Sequence, residues 1–127
     1  MTAEFYWRGS VYLLLSGLEA LKKLPSLPSL GRRMQYVLYC LDKSGHAQVR
    51  ANNRDAHLAW LKEHSASIVF AGPMLDDAGT GMIGSLLVMD FPDRAAVDKF
   101  VAGDPYGHAG LFASVRVSPW RKVYPQG

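Results

Sequence analysis

The 127-residue chain has only one cysteine, Cys40, and this residue lies within an apolar run. A single thiol excludes a disulfide framework and a cysteine-based metal centre. A lone cysteine in apolar surroundings is typical of a protein kept in a reducing compartment, so we expect a cytoplasmic protein. We also expect Cys40 to be chemically inert.

The chain also lacks an uninterrupted apolar run of about 20 residues, the length that a helix needs to cross a membrane. The run that starts at Val11 is broken at Ser16 and again at Glu19. No cleavage site of small residues follows it, which disfavours a signal peptide. Residues 1–33 instead predict a short helix and a flexible Pro/Ser-rich linker, appended to a functional unit that begins at Met34 and folds without them.

The net charge of +3 is unevenly distributed along the chain. Residues 1–33 contain five Lys or Arg and two Asp or Glu, whereas residues 34–127 contain nine of each kind. A neutral body lacks the basic surface that binds a phosphate backbone, so we expect no nucleic-acid partner.

Several sequence motifs of catalytic and cofactor sites are missing. There is no Walker loop, no GxSxG elbow and no HxxxH or HExxH spacing. The Gly-rich stretch GTGMIG, residues 79–84, is interpreted as a connection between two strands. We therefore expect a protein that uses no metal and no cofactor.

From Met34 onward, apolar periodicity predicts an α+β domain with the order βαββαβ. The first and third strands are continuous apolar runs, which places them at the centre of a ferredoxin-like sandwich with two helices on one face. Because the helices cover one face only, central strands that are apolar on both faces predict a homodimer through the open face. The predicted strands are residues 34–42, 66–74, 82–91 and 111–123, and the predicted helices are residues 48–65 and 92–103.

The predicted helices and the last strand rest on a few apolar positions. Val49, Leu58 and Leu61 give the first helix its periodicity, and Pro92 is placed at the start of the second helix. Apolar and polar residues alternate in the last strand, and its apolar face consists of Leu111, Ala113, Val115 and Val117.

A polar stripe runs along the first predicted helix. Its members, Arg50, Arg54, His57, Leu61 and His64, are spaced by four, three, four and three residues, so they project from one side. Two guanidinium groups and an imidazole suit the binding of an anionic substrate and the transfer of a proton. The same pattern is typical of a solvated helix face, and the stripe alone leaves both interpretations open.

The segment GDPYGHAGLF, residues 103–112, combines an acid with a proline. Asp104 followed by Pro105 predicts the cap of a helical turn, in which the carboxylate accepts backbone N–H groups. Tyr106 and Tyr36 are candidate hydrogen-bond donors, although packing is the commoner role of tyrosines near a core. His108 lies in a Gly-containing loop.

Residues 34–124 resemble the YCII-related, or YciI-like, domain family, small dimeric proteins of the dimeric α/β-barrel superfamily. The similarity rests on RANNRDAHLAWL, AGPMLDD, GSLLVMDF and FVAGDPYGHAGLFASVRVSPWRKV, in this order. Its most specific parts are the Arg54–His57 pair, Gly72–Pro73 and the Asp-Pro-aromatic segment at residues 104–106. Gly107 and His108 depart from the family pattern, since bulkier residues are common there.

The resemblance implies that His57 and Asp104 form a catalytic pair that faces a pocket between helix and sheet. An Asp bonded to one imidazole nitrogen would leave the other nitrogen as a general base. Arg50 or Arg54 would hold the carboxylate of a small anionic organic molecule. The remaining candidate substrate-binding residues are Gly72, Pro73, Tyr106 and His108.

Two functions follow from this resemblance. The first is a cofactor-independent lyase or isomerase that performs elimination or proton transfer on a small unsaturated or halogenated carboxylate. The second is a dimeric protein without catalysis, which binds a small molecule or acts as an accessory protein. Because both functions use the same residues, the sequence does not separate them.

Overall fold

The computed structural model describes residues 33–127, and the helix and linker predicted for residues 1–33 lie outside this range except for Arg33. The domain has four strands and three helices in the described range, and a 3₁₀ turn at Ser65–Ser67. In chain order they are β1 (Met34–Asp42), α1 (Ala47–Glu63), β2 (Ile68–Leu75), β3 (Met82–Phe91), α2 (Arg94–Gly103), α3 (Pro105–His108) and β4 (Phe112–Trp120). No helix within the described range is long and apolar enough to cross a bilayer.

The four strands form one antiparallel sheet in the order β2–β3–β1–β4. The two continuous apolar strands, β1 and β3, are therefore central, as predicted, and Leu38 lies opposite Leu87 between them. The α+β, ferredoxin-like architecture is confirmed.

The hydrophobic core lies between the helices and one face of this sheet. Because side chains alternate along a strand, every second residue of β1 and β3 faces the helices. Trp60 and Leu61 of α1 pack against the same core. Its buried members are Tyr36, Leu38, Cys40, Leu87, Met89, Phe91, Val97 and Phe100.

The opposite sheet face also carries apolar and aromatic side chains. Val37 pairs with Val88, which in turn pairs with Phe70, so these three residues share the face turned away from the helices. Phe70 is 53% exposed, and Tyr39, which lies on the same face, is 40% exposed. This open face is the one through which the sequence predicts a homodimer.

Two local predictions were wrong in detail. Helix α2 begins at Arg94 and not at Pro92. Asp93 is its N-cap, because the Asp93 side chain accepts a hydrogen bond from the Ala96 N–H at 2.9 Å. In β4 the register shifts where Asp42 pairs with Phe112, and Ala113 becomes the extra residue of a bulge. As a result Phe112, and not Ala113, packs against the core.

Candidate functional site

A cavity of about 130 Å³ lies between α1 and the helix-facing side of the sheet. Its volume is close to the ~150 Å³ of an engineered apolar cavity that binds benzene, so it has room for a molecule with about one six-membered ring. Gly72 and Pro73, which the sequence proposes as substrate-binding residues, line it from β2. The apolar side chains of its wall are Leu58, Leu61, Ala71, Pro73, Met82 and Leu87.

The polar stripe of α1 faces this cavity. Arg50 and His57 are buried, each only 6% exposed, whereas Leu58 is 42% exposed. A solvated stripe is therefore the wrong interpretation for these two residues, and Leu58 lines the cavity while part of it stays exposed. His64, at the end of the stripe, does not line the cavity: its Nδ1 donates to the Trp60 carbonyl at 3.0 Å.

His57, which lines the cavity, is hydrogen-bonded to Asp104 behind it. The distance from Nδ1 of His57 to Oδ1 of Asp104 is 2.9 Å, and both residues are buried. Since a carboxylate only accepts hydrogen bonds, Nδ1 carries the proton, and the neutral ring has an unprotonated Nε2.

The second ring nitrogen of His57 has no hydrogen-bond partner among residues 33–127. In this part of the chain, Nε1 of Trp60 is the only buried side-chain nitrogen or oxygen without a partner. Nε2 of His57 is not an atom of this kind, and His57 lines the cavity. A bound molecule in the cavity would have access to this basic nitrogen.

Asp104 also caps α3, as predicted. The same oxygen that bonds to His57 accepts the backbone N–H of Tyr106 at 2.9 Å, and Pro105 occupies the first helical position. The local turn thus fixes the direction of the carboxylate, because its rotation would break the cap. Oδ1 of Asp104 thus accepts both the hydrogen bond of the helix cap and the hydrogen bond of His57.

Tyr106 packs directly on the imidazole ring of His57. The two rings are stacked, with centroids 3.9 Å apart and planes inclined by 14°. Burial raises the pKa of the Tyr106 phenol, although the positive charges of Arg50 and Arg54 oppose this rise. The hydroxyl therefore stays protonated at neutral pH and is available as a donor.

Arg50 is held by a buried carboxylate that the sequence interpretation missed. Its Nε and Nη2 donate to the two oxygens of Asp42 at 2.7 and 2.9 Å, and Nη2 also donates to Oγ of Ser85 at 2.9 Å. Burial lowers the pKa of the guanidinium, but the hydrogen bond and charge of Asp42 outweigh it and leave the pKa raised. The charge of Arg50 is thus already balanced by Asp42.

The strand periodicity contains the signal for these missed residues. Asp42 follows Tyr36, Leu38 and Cys40 at intervals of two, and Ser85 pairs directly with Cys40. Both polar side chains therefore belong to the helix-facing side of the sheet, where an unpaired polar group is costly.

Arg54 differs from Arg50 because it is exposed at the cavity. Within the described range, no carboxylate forms an ion pair with it. Arg54 is therefore the cation that can provide the cavity with unbalanced positive charge.

The structure places two further candidates away from the cavity. His108 is exposed, and its Nε2 donates to the Ala102 carbonyl at 2.8 Å on another side of α3. Its inclusion among the substrate-binding residues is therefore not supported by its position. Tyr36 lies in the hydrophobic core, where its hydroxyl contacts the sulfur of Met34, in agreement with a packing role.

Cys40 lies beneath the site and is buried, as expected. Burial, together with the negative charges of Asp104 and Asp42, raises the pKa of its thiol to about 12. Such a thiol carries almost no thiolate at neutral pH, so it is neither nucleophile nor metal ligand. Among residues 33–127, no group of three His, Cys, Asp or Glu side chains is arranged to hold a metal ion.

Comparison with known proteins identifies the family. Residues 34–121 match the YCII-related domain, and the chain belongs to this family. It is 34% identical over 98 residues to Protein YciI of Escherichia coli O6:H1, covering 72% of this chain and all of that protein. An uncharacterised protein of Haemophilus influenzae is 35% identical over 98 residues, with the same coverage.

One solved structure combines a similar fold with a similar sequence. It is the 5-chloro-2-hydroxyhydroquinone dehydrochlorinase TftG of Burkholderia phenoliruptrix AC1100, in complex with 2,5-dihydroxybenzoquinone. It is 38% identical, with a TM-score of 0.67, and the match covers 69% of this chain and 94% of that one.

Proposed function

We propose that this protein is a cofactor-independent lyase or isomerase that acts on a small unsaturated or halogenated organic anion. The observation that carries the proposal is the 2.9 Å bond between Nδ1 of His57 and Asp104, at a cavity that His57 lines. The likeness to a dehydrochlorinase supports elimination of halide as the reaction class. The acidic group of the substrate is a carboxylate or a ring hydroxyl.

Nε2 of His57 would act as the general base. It takes a proton from the substrate, and the electron pair of the broken bond to hydrogen stays in the substrate, where it forms a π bond. The carbon–halogen bond breaks at the same time, and its electron pair leaves with the halide. In isomerisation the proton returns to another atom. Asp104 stabilises the imidazolium that forms, because the charge on the ring meets a carboxylate 2.9 Å away. Positioned proton transfer of this kind contributes ~10²–10⁴-fold in rate.

Arg54 would bind the negative oxygen of the substrate. Arg50 is a poorer choice, because Asp42 already accepts two of its hydrogen bonds and balances its charge. When His57 gains a proton, its pair with Asp104 becomes neutral overall, and Arg54 remains to compensate the negative charge that develops on the substrate.

The proposal is tested by measuring chloride release from 5-chloro-2-hydroxyhydroquinone and from small halogenated carboxylates. We expect turnover by the parent protein and loss of at least ~100-fold in His57→Ala, since the base is removed. Binding of 2,5-dihydroxybenzoquinone, followed by calorimetry, should survive this substitution. Binding without turnover in the parent, across the whole set, would contradict catalysis and favour a ligand-binding protein.

The role of Arg54 is tested separately. Arg54→Gln should raise KM for an anionic substrate by about 10-fold, because a charge-assisted hydrogen bond is lost. Arg121→Gln, just beyond β4 and outside the cavity, removes the same charge and is the matched control. Equal effects of the two substitutions would mean that Arg54 acts only through the overall charge.

We also propose that the protein forms a homodimer through the open face of the sheet. The support is the exposure of Tyr39 and Phe70 on a face where β1 and β3 are apolar. We expect the parent to sediment as a dimer and Tyr39→Lys to shift it toward monomer. Val123→Lys is the control, since it places the same charge at an exposed apolar residue beyond β4, and it should leave the dimer intact. A monomeric parent would rule out this assembly.

A further inference from the structure

Three side chains form a continuous stack at one end of the cavity. The Tyr106 ring lies 3.9 Å from the ring of His57 and 4.6 Å from the guanidinium carbon of Arg50. Arg50 and His57 are seven residues apart on α1, which corresponds to a rise of about 10.5 Å. The Tyr106 ring therefore contacts two side chains that leave α1 about two turns apart.

The Arg50 end of this stack is anchored in the sheet. Asp42, at the end of β1, accepts two hydrogen bonds from the guanidinium, and Ser85 of β3 accepts a third. A bidentate bond between planar groups fixes the orientation of the guanidinium plane as well as its place. The plane of Arg50 is therefore determined by two neighbouring strands.

The His57 end is anchored through Asp104, whose Oδ1 also accepts the backbone N–H of Tyr106. Hydrogen bonding at Nδ1 fixes one atom of the imidazole but allows the ring to tilt about this bond. The stacked tyrosine restricts that tilt, and Phe112 contacts the tyrosine edge-on at 6.1 Å between centroids. The direction of Nε2 thus depends on the tyrosine, whose other neighbour in the stack is Arg50.

We propose that Asp42 is a positioning residue for the reaction: it holds Arg50, which fixes the Tyr106 ring against His57, and Nε2 is thereby aimed into the cavity. This inference rests on the proposed role of His57 as the base. Asp42 itself does not line the cavity and is not a catalytic residue. A displacement of the base by about 1 Å is enough to cost up to ~100-fold in rate.

The inference predicts opposite changes in turnover and binding for Asp42→Asn. We expect kcat to fall by about 10-fold, because the stack loses its anchor. The dissociation constant for anionic 2,5-dihydroxybenzoquinone should fall by several-fold, because Arg50 is no longer balanced by a carboxylate. A substitution that only loosened the structure would weaken both. Unchanged kcat in a folded Asp42→Asn protein would overturn the inference.

A readout that needs no turnover separates this inference from the proposed function. Stacking on Tyr106 shifts the ring-proton NMR resonances of His57 upfield, and Asp42→Asn should move them back toward the values of an unstacked histidine. Asp98→Asn, which removes the carboxylate of the exposed Arg94–Asp98 pair, is the matched control and should leave them unchanged. A parent protein without turnover would refute the proposed function. The spectra would still show whether Asp42 keeps the Tyr106 ring stacked on His57.

Two milder variants keep the test decisive if the loss of a buried carboxylate unfolds the protein. Arg50→Lys retains the charge but removes the planar group, so the His57 resonances should shift and kcat should fall. Ser85→Ala removes one of the three hydrogen bonds to Arg50 and should give a smaller change in the same direction. Parent-like resonances and kcat in both variants would show that the anchor does not position His57.

Discussion

The two hydrogen bonds accepted by one oxygen of Asp104 predict that Asp104→Asn separates activity from stability. Both bonds are 2.9 Å long, one from His57 and one from the backbone of Tyr106. Asparagine retains an oxygen that accepts both, but it lacks the negative charge. Asp and Asn are equally good helix caps, so the contribution of the cap to the free energy of unfolding should change by less than ~1 kcal/mol.

The expected loss of activity follows from the charge alone. Hydrogen bonds to charged groups contribute about 1.5–3 kcal/mol, and those between neutral groups contribute about 0.5–1.5 kcal/mol. The imidazolium formed by proton transfer therefore loses about 1–2 kcal/mol of stabilisation in Asp104→Asn. At 1.36 kcal/mol for each factor of ten, kcat/KM should fall by about 5- to 30-fold.

Halide release gives kcat/KM, and urea unfolding followed by circular dichroism gives the stability. Asp93→Asn is the matched control, because Asp93 caps α2 through a 2.9 Å bond from Ala96 and does not contact a histidine. It should leave kcat/KM unchanged. If Asp104→Asn retains the kcat/KM of the parent, the carboxylate is only a helix cap and the reasoning fails.

Three further predictions concern reactivity, packing and the boundaries of the domain. The rise in the pKa of Cys40 from 9.0 to about 12 predicts ~1000-fold less thiolate at pH 8. Iodoacetamide should therefore label the folded protein at least ~1000-fold more slowly than the urea-unfolded protein, and similar labelling rates would contradict the raised pKa. Gly103→Ala should destabilise the domain by ~1–3 kcal/mol in urea unfolding, because a Cβ there overlaps the indole ring of Trp60, whereas Gly72→Ala, with open space around its Cβ, should not. Removal of residues 1–33 should leave a soluble protein that unfolds cooperatively, and an insoluble or unfolded product would place the removed segment within the functional unit.

The strands were predictable because continuous apolar runs have few alternative uses. β1 and β3 coincide with their predicted limits, and their central positions follow from being apolar on both faces. The inward face of α1 was harder, because periodicity alone favours burying Leu58 over Arg50. Arg50 is buried only because Asp42 compensates its charge, and this compensation depends on a contact between strand and helix.

The candidate site was predicted unevenly for a similar reason. The cap at Asp104 is local, so Pro105 was enough to indicate it. The bond from Asp104 to His57 joins residues 47 positions apart, and only resemblance to a family suggested it before the structure. The position of His108 outside the cavity was not predictable, because a place in a Gly-containing loop does not indicate which way the side chain turns.

The distribution of the site over the chain makes it a marker for the completion of folding. The stack and its anchors come from β1, α1, β3 and the junction between α2 and α3, so no hairpin or single helix–strand unit contains them all. Contacts between such distant segments form late, after the entropy of closing the intervening loops has been lost. In a refolding experiment, the His57–Tyr106 stacking signal should therefore appear after helical circular dichroism has recovered. A folding intermediate can possess α1 in full and still have no oriented base.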